Sequence, residues 1–150
     1  MENKSTFCPI AGPLSESELL EMKEIFQTAK TIAVVGLSPK KHRESYRVAA
    51  YLKENGYRIV PVRPNGGEIL GEKTYDSLKD IPFPIDVVDV FRKPEAVPPI
   101  AAEAVNIGAK VLWLQEGVGN PEGERIACEA GLKVVSNRCM FKEHRRLLRL

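Results

Sequence analysis

The chain has 150 residues, 43% hydrophobic and 28% charged, and its 22 basic against 20 acidic side chains give a net charge of +2. That length and apolar fraction suit one domain over residues 1–150 with a real core, which excludes a disordered tail and a disulfide-dependent miniprotein. Such a small charge excess cannot supply the broad phosphate-neutralising surface of a duplex nucleic-acid binder.

The N-terminal stretch MENKSTFCPIAG lacks the charged-then-apolar order of a signal peptide, and residues 1–14 are expected to be a flexible lead-in. Ser15 with Glu18 three residues later forms a capping box ahead of Leu19, Met22, Phe26 and Ala29, which share one helical face. Short apolar runs then follow at 31–35, 58–62, 86–90, 110–114 and 133–135. Their Val, Ile and Leu content without alternation predicts strands buried on both faces, as in a parallel sheet.

Helical segments separate these runs. Ser45 is expected to cap a helix carrying Val48, Ala49 and Leu52, with Gly56 as its stop. Residues 96–107 place Val97, Ile100, Ala101, Ala104 and Ile107 at helical spacing, with Pro98 and Pro99 tolerable only in the opening turn. Asn120-Pro121 is a cap followed by the favoured first-position proline of a helix ending at Gly131. Met140, Phe141, Leu147 and Leu148, interleaved with Lys142, Arg145, Arg146 and Arg149, predict a terminal helix. The fold class is therefore α/β, a doubly wound parallel sheet of about five strands in three αβα layers.

No apolar run approaches the roughly 18 residues that span a bilayer, so the expectation is a cytoplasmic protein with no membrane partner. Cys8, Cys128 and Cys139 are odd in number and widely spaced, which indicates neither a disulfide framework nor a zinc site. With His42 and His144 the only histidines, no metal site is expected.

Open parallel sheets bind ligands beyond the C-terminal strand ends. After the first run, Gly36-Leu37-Ser38-Pro39-Lys40-Lys41-His42-Arg43-Glu44-Ser45 combines a glycine, two hydroxyls, a helix N-terminus and four cationic candidates, the composition of an anion site. It matches neither GxxxxGK[ST] nor GxGxxG. Where NAD-binding folds place an acid after the second strand, this chain has Arg63-Pro64, and a guanidinium favours a phosphorylated ribose, as in NADP or coenzyme A. Phe91-Arg92 after the third run offers a ring and a cation, and Gln115-Glu116-Gly117 after the fourth offers an amide and close backbone approach.

The run VVGLSPKKHRESYRVAAYLKENGYRIVPVRPNGGEILGEKTYDSL, followed by IDVVDVFRKPEAV, GAKVLWLQEGV and SNRCMFKEH, resembles the small stand-alone proteins of the coenzyme A-binding domain family. These are similar to the N-terminal domain of the succinyl-CoA synthetase alpha subunit. The resemblance covers roughly residues 20–148 and implies a Rossmann-like domain whose cofactor or ligand is coenzyme A or an acyl-CoA. It implies that Gly36, Leu37 and Ser38 line the phosphate loop with Arg43 and Ser45 nearby, and that Arg63 and Pro64 border the adenosine. It further implies that Phe91 and Arg92 meet the nucleotide, and that Gln115, Glu116 and Gly117 approach the pantetheine. Family members commonly read Val-Asn-Pro where this chain has Val62-Arg63-Pro64.

The synthetases also need a phosphohistidine domain and a nucleotide-grasping subunit, for which 150 residues leave no room, so the expectation is a binding protein without catalytic residues. Homo-oligomer formation is left open. The alternatives are an NADP-dependent oxidoreductase, for which Tyr75 and Lys79 have a Tyr-x-x-x-Lys spacing read as chance, and a nucleotide-binding regulatory subunit. Cys139 could exchange with the coenzyme thiol, but a lone cysteine is more simply a small buried hydrophobe.

Overall fold

The computed structural model describes residues 8–148, so Arg149 of the expected terminal helix lies outside the described residues. In chain order the strands are β1 (Thr31–Val35), β2 (Arg58–Val62), β3 (Glu68–Ile69), β4 (Glu72–Lys73), β5 (Val87–Val90), β6 (Val111–Leu114) and β7 (Lys133–Ser136). Apart from the β3–β4 pair they form an all-parallel sheet in the order β2-β1-β5-β6-β7. Direction of winding reverses between β1 and β5, which makes that gap the topological switch point. Helices α1 (Glu16–Thr28), α2 (Glu44–Glu54) and α5 (Met140–Leu148) cover one face, and α3 (Val97–Asn106) and α4 (Pro121–Glu129) cover the other. The three-layer Rossmann-like fold is thus as expected.

Strand residues divide by alternation between two cores. Ile32, Val34, Val87, Trp113 and Val135 pack beneath α1, α2 and α5, while Ala33, Val35, Val88, Val90, Leu112, Leu114 and Val134 pack beneath α3 and α4. Trp113 is fully buried, and its indole N–H donates to the Arg138 carbonyl at 2.8 Å. Against α1, the Tyr57 hydroxyl donates to the Phe26 carbonyl, and burial pushes its pKa up to about 12. Gly123 lets α4 lie directly on α3, because a Cβ there would stand 2.5 Å from Val97 Cγ1.

The capping box at Ser15 and the Asn120 cap form as the sequence predicts. Three local readings change. Ser45 is not a cap: Arg43 holds that position with no side-chain hydrogen bond, and Ser45 lies inside the first turn. The helix expected over 96–107 starts as a 3-10 turn at Pro94–Ala96 and becomes α-helical from Val97, its two prolines falling in the opening turn where their missing N–H groups cost nothing. The β3–β4 hairpin, which the sequence reading does not foresee, turns on Leu70 and Gly71, both at positive φ.

From Cys8 onward the lead-in runs along the β7 edge of the sheet. Ile10 is wholly buried and pairs with β7, donating to Val134 O at 2.7 Å and accepting from Ser136 N–H at 2.9 Å; residues 1–7 lie outside those described. A disulfide joins Cys8 to Cys128 on α4, contrary to the reading of the cysteines as unpaired. Sequence spacing gives no hint of this pair, which meets only because Ile10 is laid along β7 beside the end of α4. Both sheet edges are thereby covered, since Tyr75 pairs with Val62 on the outer side of β2.

Candidate functional site

Gly36 ends β1 and turns the chain out of the sheet at φ +89°, donating its N–H to the Val62 carbonyl at 2.8 Å. Leu37 drops its side chain into the core, so only its backbone faces the loop. Ser38 donates its N–H to the Ser45 hydroxyl at 3.0 Å, and its own hydroxyl accepts from Lys40 N–H at 3.1 Å. These bonds fold the loop back over the start of α2. Because no side chain caps α2, its first-turn amides are available to an anion.

A cleft of about 440 Å³ lies there, lined by Gly36, Ser38, Pro39, Lys40, Arg43, Glu44, Ser45, Arg63 and Phe91. Arg63 reaches across from β2 and donates to the Leu37 carbonyl at 3.4 Å. Gly66 makes room for that side chain, as a Cβ would approach Arg63 Cγ to 2.7 Å. Arg63 also borders a smaller recess of about 180 Å³ with Pro64, Asp76, Arg92 and Glu103. The two spaces share Arg63 and lie at the switch point, with Lys40, Arg43, Arg63 and Arg92 set beside Glu44, Asp76 and Glu103.

Eight predicted residues therefore converge: Gly36, Ser38, Arg43, Ser45, Arg63, Pro64, Phe91 and Arg92. Gln115, Glu116 and Gly117 lie on the same sheet edge but line neither space. Gln115 is 2% exposed and its Oε1 accepts from Met140 N–H at 3.3 Å; Glu116 pairs with Lys142 at 3.2 Å, which raises the lysine's pKa. Gly117 N–H donates to Asn137 Oδ1 at 2.8 Å. These contacts tie the end of β6 to α5 and to the loop before it.

Glu44, in the cleft, and Asp89, beneath it, were not singled out from sequence. A first-turn acid reads as dipole compensation, and an acid within an apolar run carries no sign of where it points. Asp89 is fully buried, and desolvation, with the Glu44 charge second, holds its carboxyl well above the usual carboxylate range. Burial likewise raises the Cys139 thiol, which disfavours the thiolate that disulfide exchange requires.

A larger cleft, about 500 Å³, lies at the opposite end of the sheet among Thr28, Asp86, Gly108, Lys110, Gly131 and Lys133. Strand N-termini and helix C-termini meet there, so its backbone presents carbonyls where a phosphate needs N–H donors. Asp86 serves structure: it accepts from Lys30 and Thr31 N–H groups at 2.9 and 3.0 Å and lies 3.7 Å from Lys110. Burial acts to raise its pKa, but those partners together outweigh it and leave it lowered.

A cleft at the switch point of a doubly wound sheet lies where open α/β folds place their ligands. Residues 30–145 match the CoA binding domain family, and the chain belongs to it. It is 43% identical over 124 residues to the uncharacterized protein YneT of Bacillus subtilis, covering 83% of this chain and 92% of that one. It is 31% identical over 109 residues to the ADP-forming acetate–CoA ligase II of Archaeoglobus fulgidus, a match that takes in 71% of this chain but 16% of the ligase. Among solved structures, a hypothetical protein from Pyrococcus horikoshii OT3 superposes with a TM-score of 0.87 at 44% identity, covering 99% of each chain.

Proposed function

We propose that this protein is a cytoplasmic, single-domain binder of coenzyme A or an acyl-CoA, acting without catalytic residues of its own. The observation that carries the reading is the uncapped N-terminus of α2 facing a cleft that Arg43 and Arg63 line, in a chain of the CoA binding domain family. First-turn amides and the Ser38–Ser45 fold receive the pyrophosphate, because aligned N–H groups and the helix dipole both favour negative charge. Arg63 and Arg92 flank the recess suited to the 3′-phosphorylated ribose, where a planar guanidinium makes paired bonds to phosphate. Gly36 allows the ligand and the neighbouring strand to approach one backbone from both sides.

Ligand that binds only the folded state stabilises it by RT ln(1 + [L]/Kd), about 2.7 kcal/mol at a hundredfold excess over Kd. Thermal melts with CoA, acetyl-CoA and succinyl-CoA are expected to rise accordingly. Stabilisation by NADPH and by none of the CoA species would overturn the assignment.

A further inference from the structure

Three helices end on the larger cleft, at the opposite end of the sheet from the Gly36 loop: α1 through Thr28 and Ala29, α3 through Val105 and Gly108, and α4 through Ala130 and Gly131. A helix C-terminus carries the negative end of the macrodipole and carbonyls without an intrahelical partner, and a basic side chain in the last turn compensates for both. None of these three helices has one. The two helices that do not line the cleft both do, with Lys53 on α2 and Arg145 and Arg146 on α5.

Side-chain charge does not remove the deficit. Lys110 and Lys133 line the cleft, but the first lies 3.7 Å from Asp86 and the second 3.7 Å from Glu24, so each is already matched by a carboxylate of the same cleft. What is left uncompensated is the backbone. Between the helix ends the wall is apolar, formed by Ile25, Val87, Val105, Val111 and Leu132. At about 500 Å³ the space falls in the range that takes a small organic molecule.

Such surroundings narrow the ligand class. An anion meets carbonyls and three negative dipole ends, which repel it. A metal ion gains nothing from the apolar wall, and among the described residues no group of three or more His, Cys, Asp or Glu side chains could hold one. We propose that this cleft is a second binding site, separate from the coenzyme A site, for an organic ammonium ion with a short apolar body. Its N–H groups donate to last-turn carbonyls, and its body lies against Val105, Val111 and Leu132. Hydrogen bonds from a charged donor are roughly twice as strong as neutral ones, and burial of the body adds to them.

Benzylammonium, benzyl alcohol and phenylacetate share one ring and differ in charge, so titrating each into the isotope-labelled full chain and following backbone amide NMR signals tests this. Benzylammonium is expected to shift Gly108, Ala109, Gly131 and Leu132 saturably, with the other two probes at least about fivefold weaker. Ala130→Arg gives α4 the cation it lacks and should weaken benzylammonium about two- to fivefold, the range for one charge at a helix end. Glu24→Gln should weaken it to a similar extent, because it leaves Lys133 as a competing cation. Both positions are exposed, so the fold is retained. If Ala130→Arg raises the melting temperature while neither variant alters benzylammonium binding, the helix ends matter to stability alone and the proposal falls. It falls equally if the three probes bind alike, if phenylacetate binds best, or if none shifts these four residues.

Discussion

Gly36 and Phe91 touch backbone to backbone: a Cβ on Gly36 would lie 2.3 Å from the Phe91 carbonyl oxygen and 2.9 Å from Arg92 Cδ. Phe91 N–H donates to Val35 O at 2.8 Å and Gly36 N–H to Val62 O, so this residue sits where β1 parts from both neighbours. No rearrangement of a flexible side chain relieves a clash with a carbonyl. Gly36→Ala is therefore expected to lower stability by about 1–3 kcal/mol, since φ +89° also strains any L side chain, and to abolish CoA binding. Urea unfolding and titration check it; a variant with wild-type midpoint and affinity would show that the contact does not shape the site.

Arg63 tests the phosphate reading. A hydrogen bond to a charged group contributes about 1.5–3 kcal/mol, so Arg63→Ala should cost roughly 10- to 150-fold in CoA affinity. Its single weak bond to the Leu37 carbonyl means little stability is lost. Arg63→Lys retains charge without the planar fork and should fall between. Equal affinity in all three proteins would remove Arg63 from the site.

Much of this was legible in the sequence, for identifiable reasons. Strand runs such as Ile59, Val60 and Val62 declare burial on both faces, and caps such as Asn120 are local chemistry, so the elements and their order could be read directly. Loops that open from one sheet edge follow from topology, which brought Arg63 and Phe91 to one cleft from different strands. What could not be read depends on register and direction. Gln115 continues the alternation of β6 and so turns inward, Ser45 folds back on Ser38 instead of capping, and Cys8 finds Cys128 only through the pairing of Ile10 with β7.

Asp89 makes stability fall as pH rises. Its folded-state pKa is raised above the 3.8 of an ordinary aspartate, so above about pH 4 the folded chain holds a proton that the unfolded chain has released. The stability it allows is complete below that point and declines toward neutral pH. Asp86 has the opposite sign: its lowered pKa contributes stability above 3.8 that is lost as pH falls through the folded value. Asp89→Asn should flatten the decline on the alkaline side while leaving the acid limb intact. Urea unfolding of both proteins across about pH 3 to 8 measures this, and parallel curves would mean that Asp89 ionises without cost.

The disulfide separates stability from binding. Cys8 and Cys128 are 120 residues apart, and closing so long a loop restricts the unfolded chain by up to about 4–5 kcal/mol in the chain-entropy account, with about 2–4 typical of measured bridges. It anchors the segment whose Ile10 covers β7, and the Arg138 guanidinium bonds to the Gly12 carbonyl of that segment. The cleft lies across the sheet, built from β1, β2 and α2, and shares none of these contacts. Reduction, or Cys8→Ser, should therefore lower the melting temperature clearly while CoA affinity at about 25 °C stays within a factor of about two, as distant sites without shared partners act independently. Melts and titrations with and without reductant decide it. An unmoved melting temperature would mean that the Ile10 contacts alone secure the edge, and a parallel loss of affinity would mean that β7 communicates with the switch point.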